Sequence, residues 1–144
     1  MTETPAEAPR TPQPVMGMYD APMWQSIRDG ALKLQHCASC DTVLYPPGPV
    51  CPHCLSSELE WRGVSGRGTV LSWVVFHKTY LDAYPAPYNV IAVRLEEGAV
   101  LVSNLEAPLP EGSWIGKQVR MIFKPMPDGF VLPKFVLDTD GTRA

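Results

Sequence analysis

All four cysteines of this chain fall in two Cys-x-x-Cys pairs, Cys37/Cys40 and Cys51/Cys54, with ten residues between the pairs. No other feature constrains the fold as strongly. A Cys-x-x-Cys step turns the backbone into a tight knuckle, and one cation with four soft ligands accounts for every cysteine at once. The intervening loop must then fold back to bring the two knuckles together. The spacing is that of a short zinc ribbon. Two disulfides or an iron site would use the same residues, and spacing alone leaves them open. A metal closed by four thiolates has no open position for water or substrate, so this signal marks architecture rather than catalysis. His36 and His53 flank the ligands. Because four thiolates complete the shell, both read as bystanders.

The chain has 144 residues, room for one ordinary domain or two very small ones. Hydrophobic residues make up 45% of it, enough for a packed core. No apolar run reaches membrane-spanning length. The start, MTETPAEAPRTPQPV, lacks the basic segment and apolar centre of a secretory signal. Paired thiols without such a signal point to a reducing cytoplasm, where metal binding is favoured over disulfides. The net charge of -3 argues against bulk nucleic-acid binding but leaves room for a local basic patch.

Residues 1–19 are rich in Pro, Ala and Thr and carry Pro5, Pro9, Pro12 and Pro14. They offer too little apolar surface to offset ordering, and read as a disordered or extended arm. From Pro22 to Gln35 the pattern becomes helical, with Trp24, Ile27, Ala31 and Leu34 at three- and four-residue steps. Gly30 marks a bend or break. The apolar stripe has two candidate covers, the ribbon itself or another protein chain. The ribbon follows, with Pro46, Pro47, Gly48 and Pro49 restricting its connecting loop.

From Trp61 the pattern is β. Thr69–His77 and Tyr88–Leu95 read as strands, and Glu96-Glu97-Gly98 turns into a third, Ala99–Leu105. Val119, Met121 and Phe123 alternate in a fourth, and Pro127-Asp128-Gly129 turns into a fifth, Phe130–Val136. Five short strands with no strong helix between them predict a small antiparallel barrel of the OB type. Gly63, Gly66 and Gly68 stand where its long first strand must coil. The predicted fold is mainly β: an arm over 1–19, helix and ribbon over 20–60, a five-stranded OB-fold over 61–138 and a tail over 139–144.

The order of elements resembles one known family. A helix leads into Cys-x-x-Cys, a Pro-rich loop, Cys-Pro-x-Cys and Trp61. Gly66-Arg67-Gly68-Thr69-Val70 follows, then a hydrophobic strand ending at His77, Pro87-Tyr88, the Leu95–Gly98 turn and Leu101–Asn104. Ile115-Gly116, Val119 and Leu132-Pro133-Lys134-Phe135 close the series. Over residues 20 to 138 this order is similar to the domain of unknown function 35 family, a rubredoxin-like zinc ribbon joined to an OB-fold. Rubredoxin knuckles that hold iron usually place glycine after the second cysteine. Here those positions are Asp41 and Leu55, which favours structural zinc. The resemblance implies a partner: such proteins are accessory subunits of thiolase-fold enzymes, namely thiolases, acyltransferases and aldolases, and some are thought to bind or channel acyl-CoA. A single-domain chain of this length looks like such a subunit rather than a fused module.

No catalytic constellation emerges from the residues. There is no His-Glu-x-x-His, no glycine-rich phosphate loop with lysine and no Gly-x-Ser-x-Gly. His77 is an acid–base type of residue, but no carboxylate is placed beside it by sequence. Independent catalysis is therefore not indicated. Ligand binding has more support. Lys117, Arg120, Lys124 and Lys134 lie in a stretch whose one acid is Asp128, and Arg67, Lys78 and Arg94 are candidates to join them. Guanidinium and ammonium groups beside an aromatic face suit the phosphates and adenine of coenzyme A. In the long loop from Thr79 to Pro87, Tyr80 and Tyr84, with Tyr88 beyond it, are anchor types for an interface or an acyl chain, as are Trp24 and Ile27 on the helix.

Three functions compete. The first is a non-catalytic accessory subunit of a thiolase-fold enzyme acting on acyl-CoA. The second is a single-stranded nucleic-acid-binding protein, with Trp61, Trp73, Phe76 and Tyr88 to stack bases. The third is a free-standing acyl-CoA-binding protein. The acidic balance weighs against the second.

Overall fold

The computed structural model describes residues 11–139; the first ten residues of the predicted arm and the tail from 140 onward lie outside the described residues. The elements run α1 (Ala21–Arg28), β1 (Lys33–Cys37), β2 (Val43–Leu44), β3 (Leu59–Gly63), β4 (Arg67–Phe76), β5 (Tyr88–Leu95), β6 (Val100–Ser103), β7 (Gln118–Pro125) and β8 (Val131–Leu137). They form a three-stranded sheet in the order β2-β1-β3 and a five-stranded sheet in the order β6-β5-β4-β7-β8.

The helix is shorter than the periodicity of residues 22–35 predicts. A proline in its first turn suits the start. Gly30 then adopts φ +83°, and the Gly30 and Ala31 amides donate to the carbonyls of Ile27 and Ser26 at 3.0 and 3.1 Å. This is a Schellman stop, which requires the left-handed backbone that glycine takes without strain. Leu34 therefore lies in β1 rather than on the helix, and Leu32 and Leu34 bury their side chains from an extended segment. A three-residue step cannot tell one helical face from a helix followed by a strand. The Ser26 hydroxyl ties the two together, accepting from the Lys33 amide at 2.9 Å and donating to the Met23 carbonyl at 2.6 Å.

Sequence periodicity also missed β1–β3. They are short, and their pairing is set by the knuckles rather than by alternation. β3 crosses residue 60 while pairing along its length with β1. Only three residues separate the end of β3 from the start of β4, so the ribbon runs directly into the barrel.

The five barrel strands match the predicted set within one or two residues at each end. The sheet curls until the segment just after β6 meets β8 in a parallel bridge between Leu105 and Phe135. Flanking bonds, Glu106 amide to Phe135 carbonyl at 2.8 Å and Phe135 amide to Asn104 carbonyl at 3.0 Å, secure the seam. This closure of the third barrel strand's end on the fifth strand is the OB topology. A register shift in β4 between Val70 and Ser72 bends the strand. At Gly68 a Cβ would stand 2.5 Å from the Arg94 carbonyl oxygen, so only glycine lets β4 and β5 approach this closely. Trp114, on the connection from β6 to β7, is buried and stacks on Trp73 at 4.4 Å.

One core serves both parts. Met23, Ile27, Leu32 and Leu34 from the helix and ribbon share a cluster with Val70, Ile91, Val93, Leu101, Val119 and Phe135 from the barrel. Of the two candidate covers for the helical stripe, the structure shows the internal one. A smaller cluster, Cys37, Leu44 and Cys51, lies around the knuckles.

Candidate metal centre and ligand groove

The two knuckles repeat one geometry. The Cys37 amide donates to the Thr42 carbonyl at 2.8 Å and the Asp41 amide to the Cys37 carbonyl at 2.9 Å. The second knuckle repeats this with Cys51, Ser56 and Leu55 at 2.9 and 2.8 Å. Asp41 and Leu55 take left-handed φ values of 67° and 66°. The turn commonly given to glycine is thus made by two non-glycine residues, and Leu55 accepts it although it gains no burial, being 74% exposed. The residue type at these positions says less about the backbone than the sequence suggested.

The four sulfurs lie within 4.8 Å of one another, with Cys37–Cys54 and Cys40–Cys51 at 3.5 and 3.6 Å. Sulfurs around a tetrahedral zinc, with Zn–S of about 2.3 Å, stand about 3.8 Å apart, whereas a disulfide requires about 2.05 Å. The geometry fits zinc and excludes two disulfides. The electrostatics agree. Bonds from the Thr42 hydroxyl and amide hold the Cys40 thiol down to about 5. The Ser56 amide lowers the Cys54 thiol, but desolvation and bonds to Cys37, Cys40 and Cys51 outweigh it and push it up to about 12. With one thiol pushed up this far, four thiolates at neutral pH require a cation among them. Of the two flanking histidines, buried His36 bonds Asp41 through Nε2 at 2.6 Å and braces the first knuckle, while His53 is exposed.

The cations predicted for coenzyme A do not form one patch. Arg67 and Arg120 are register partners on the barrel's outer face, with exposed Arg94 one row along and exposed Lys117 just before β7. Arg67 pairs with Glu96 at 3.2 Å, which holds its guanidinium charged. Lys78 lies beyond the other end of β4, over the Tyr80 ring at 5.4 Å. The ten residues of β4 span about 30 Å, too far for Arg67 and Lys78 to share one phosphate. Lys124 pairs with Glu106 at 3.2 Å. The sequence could not show these carboxylates, because both come from other strands or turns.

The aromatic anchors separate into three environments. Tyr80, Phe76 and Tyr88 form an outer ladder, with Phe76–Tyr88 stacked at 5.1 Å and Phe76–Tyr80 edge-on at 6.2 Å. Tyr84 folds inward over Lys134 at 5.7 Å. Trp24 meets Phe130 edge-on at 6.2 Å and lines a cleft with Tyr45. Ile27 is 2% exposed and belongs to this chain's own core, so it offers a partner no surface.

A four-thiolate ribbon sharing its core with an OB barrel defines the class: a zinc-ribbon OB-fold protein. Two family models match in tandem, the ChsH2 rubredoxin-like zinc ribbon domain over residues 24–60 and the ChsH2 C-terminal OB-fold domain over 61–124. A DUF35 domain-containing scaffold protein of Methanocaldococcus jannaschii is 36% identical over 70% of this chain and 74% of its own length. The chain belongs to this DUF35 (ChsH2-type) family. A probable enoyl-CoA hydratase alpha subunit of Thermomonospora curvata is 34% identical over 93% of this chain, which spans only 43% of that relative. Among solved structures, a chain described as Ltp2-ChsH2(DUF35) aldolase superposes with a TM-score of 0.79 at 34% identity, over 87% of this chain and 98% of that one.

Proposed function

We propose that this protein is a non-catalytic accessory subunit of a thiolase-fold enzyme acting on acyl-CoA. The observation that carries the reading is the match to the Ltp2-ChsH2(DUF35) aldolase chain, of which this chain covers 98%. A hydratase alpha subunit and a scaffold protein among the relatives support the same class of role. The sulfur geometry agrees, because a four-thiolate site has no open coordination position for chemistry. In this role the zinc makes the ribbon rigid, and the ribbon holds α1 and the barrel in one fixed body. The partner supplies the reacting groups in a reducing cytoplasm. The outer ladder of Tyr80, Phe76 and Tyr88, with exposed Val74 two residues along β4 from Phe76, is an apolar surface for that partner. Arg67, Arg94 and Arg120 on the outer face are the cations best grouped for the phosphates of coenzyme A.

The test is co-expression with a candidate thiolase-fold partner from the same genome, followed by gel filtration and assay of acyl-CoA cleavage. The two proteins are expected to co-elute, with activity dependent on this chain. Separate elution with a partner fully active alone refutes the proposal.

A further inference from the structure

β8 sends alternate side chains to opposite faces. Phe135 enters the core and Lys134 faces the other way, yet Lys134 is only 6% exposed. Tyr84 covers it from the loop between β4 and β5. Its Nζ donates to Asn104 Oδ1, the one hydrogen-bond acceptor it has among the described residues. Two N–H donors of the ammonium are left over. Asn104 is itself held, its Nδ2 donating to the Asn89 carbonyl. Asn89 in turn accepts from the Leu105 amide at 2.7 Å and donates to the Leu105 carbonyl at 2.9 Å. The amide that aims the lysine is therefore anchored to the β5 and β6 backbone. Glu106 favours the charged lysine from a distance but is bonded to Lys124.

Two clefts meet at this lysine. One, of about 240 Å³, is lined by Tyr88, Leu105, Leu109 and Glu106, whose carboxylate is paired with Lys124; the other, of about 250 Å³, by Trp24, Tyr45 and Leu132. Tyr84, Asn104 and Lys134 belong to both. The result is a groove with largely apolar walls and an ammonium at its middle. Withdrawing an ammonium from water is unfavourable unless acceptors or an anion replace the water. One amide oxygen and one ring face replace only part of it.

We infer that this groove binds a molecule with an extended apolar body and a single carboxylate, and that the Lys134 ammonium takes the carboxylate. The choice of an acyl chain as the apolar body rests on the proposed acyl-handling role; the anionic group rests on Lys134 alone. The test is calorimetric titration of the zinc-loaded full chain with octanoate, octanol and inorganic phosphate. Octanoate is expected to bind at least about tenfold more tightly than octanol, the margin of a charge-assisted hydrogen bond. Phosphate, which has no apolar body, binds weakest. In Lys134→Met octanoate loses its margin while octanol keeps its affinity. The wild-type comparison decides the matter even if the variant does not fold: equal binding of octanoate and octanol, no octanoate binding, or tighter binding of phosphate overturns the inference. Octanoate binding by a chain that forms no complex removes only the proposed function. A complex with no octanoate preference removes only this inference.

Discussion

Replacing Ile27 by alanine tests whether ribbon and barrel are one body. The side chain is 2% exposed and lies in the core cluster that holds both Leu34 of the ribbon and Phe135 of the barrel. The substitution removes three carbons, about 2.4 kcal/mol at about 0.8 kcal/mol per buried methylene. The residual cavity raises this to about 3–4 kcal/mol, a large fraction of the ~5–15 kcal/mol that holds an ordinary domain. The assay is urea unfolding with zinc present, followed by two probes. Zinc release to a colorimetric chelator reports the ribbon. Near-ultraviolet circular dichroism of the Trp73–Trp114 pair, stacked at 4.4 Å, reports the barrel. At an m-value of about 2 kcal/mol per molar urea, both midpoints are expected to fall together by roughly 1.5–2 M. If zinc release shifts while the tryptophan signal keeps its midpoint, or if the loss is below about 1 kcal/mol, the single shared core is wrong.

Three further outcomes follow from the geometry. Cys51→Ser, which removes a fully buried ligand, is expected to abolish stoichiometric zinc by metal analysis and to lower the thermal midpoint of the whole chain. Gly68→Ala is expected to cost about 1–3 kcal/mol in urea unfolding, since its Cβ would meet the Arg94 carbonyl oxygen at 2.5 Å and Val93 Cγ1 at 2.6 Å; Gly63→Ala, with nothing within 4 Å, serves as a near-neutral control. Desolvation, with help from Lys124 and against Glu106, holds the Lys134 pKa below its usual 10.5. Between the folded value and 10.5 the unfolded chain binds more protons at this residue, so its contribution to stability rises with pH. The stability of the wild type relative to Lys134→Met is therefore expected to increase towards pH 10.5, and a flat or falling difference would contradict the assigned environment.

Much of the barrel was legible because alternation is a local property. Val119, Met121 and Phe123 alternate, Glu96-Glu97-Gly98 turns, and the structure places β5 to β8 within a residue or two of those signals. The end of α1 was less legible. Ala31 and Leu34 continue the helical rhythm, but the Schellman stop at Gly30 redirects the chain, and Leu34 is buried from a strand. The groove was legible only in fragments. Asn104 and Lys134 each stood in a recognisable segment, yet nothing in either places Tyr84 over the lysine or Asn89 behind the asparagine.

The sequence by itself determined the ligand set, because four cysteines at this spacing can close on one cation and ligand type is a property of single residues; the sulfur separations then excluded two disulfides. It determined the strand set for the same reason, since hydrophobic period is written along the chain. Only the tertiary structure decided which charges are free and which surfaces are open. Glu96 and Glu106 reach Arg67 and Lys124 from distant positions, Ile27 turns into the chain's own core, and Lys134 ends beneath a tyrosine fifty residues away. Burial and ion pairing depend on which strands become neighbours, and that is decided by the pairing of β4 with β5, the packing of α1 on the shared core and the bridge that joins Leu105 to β8, rather than by any one segment.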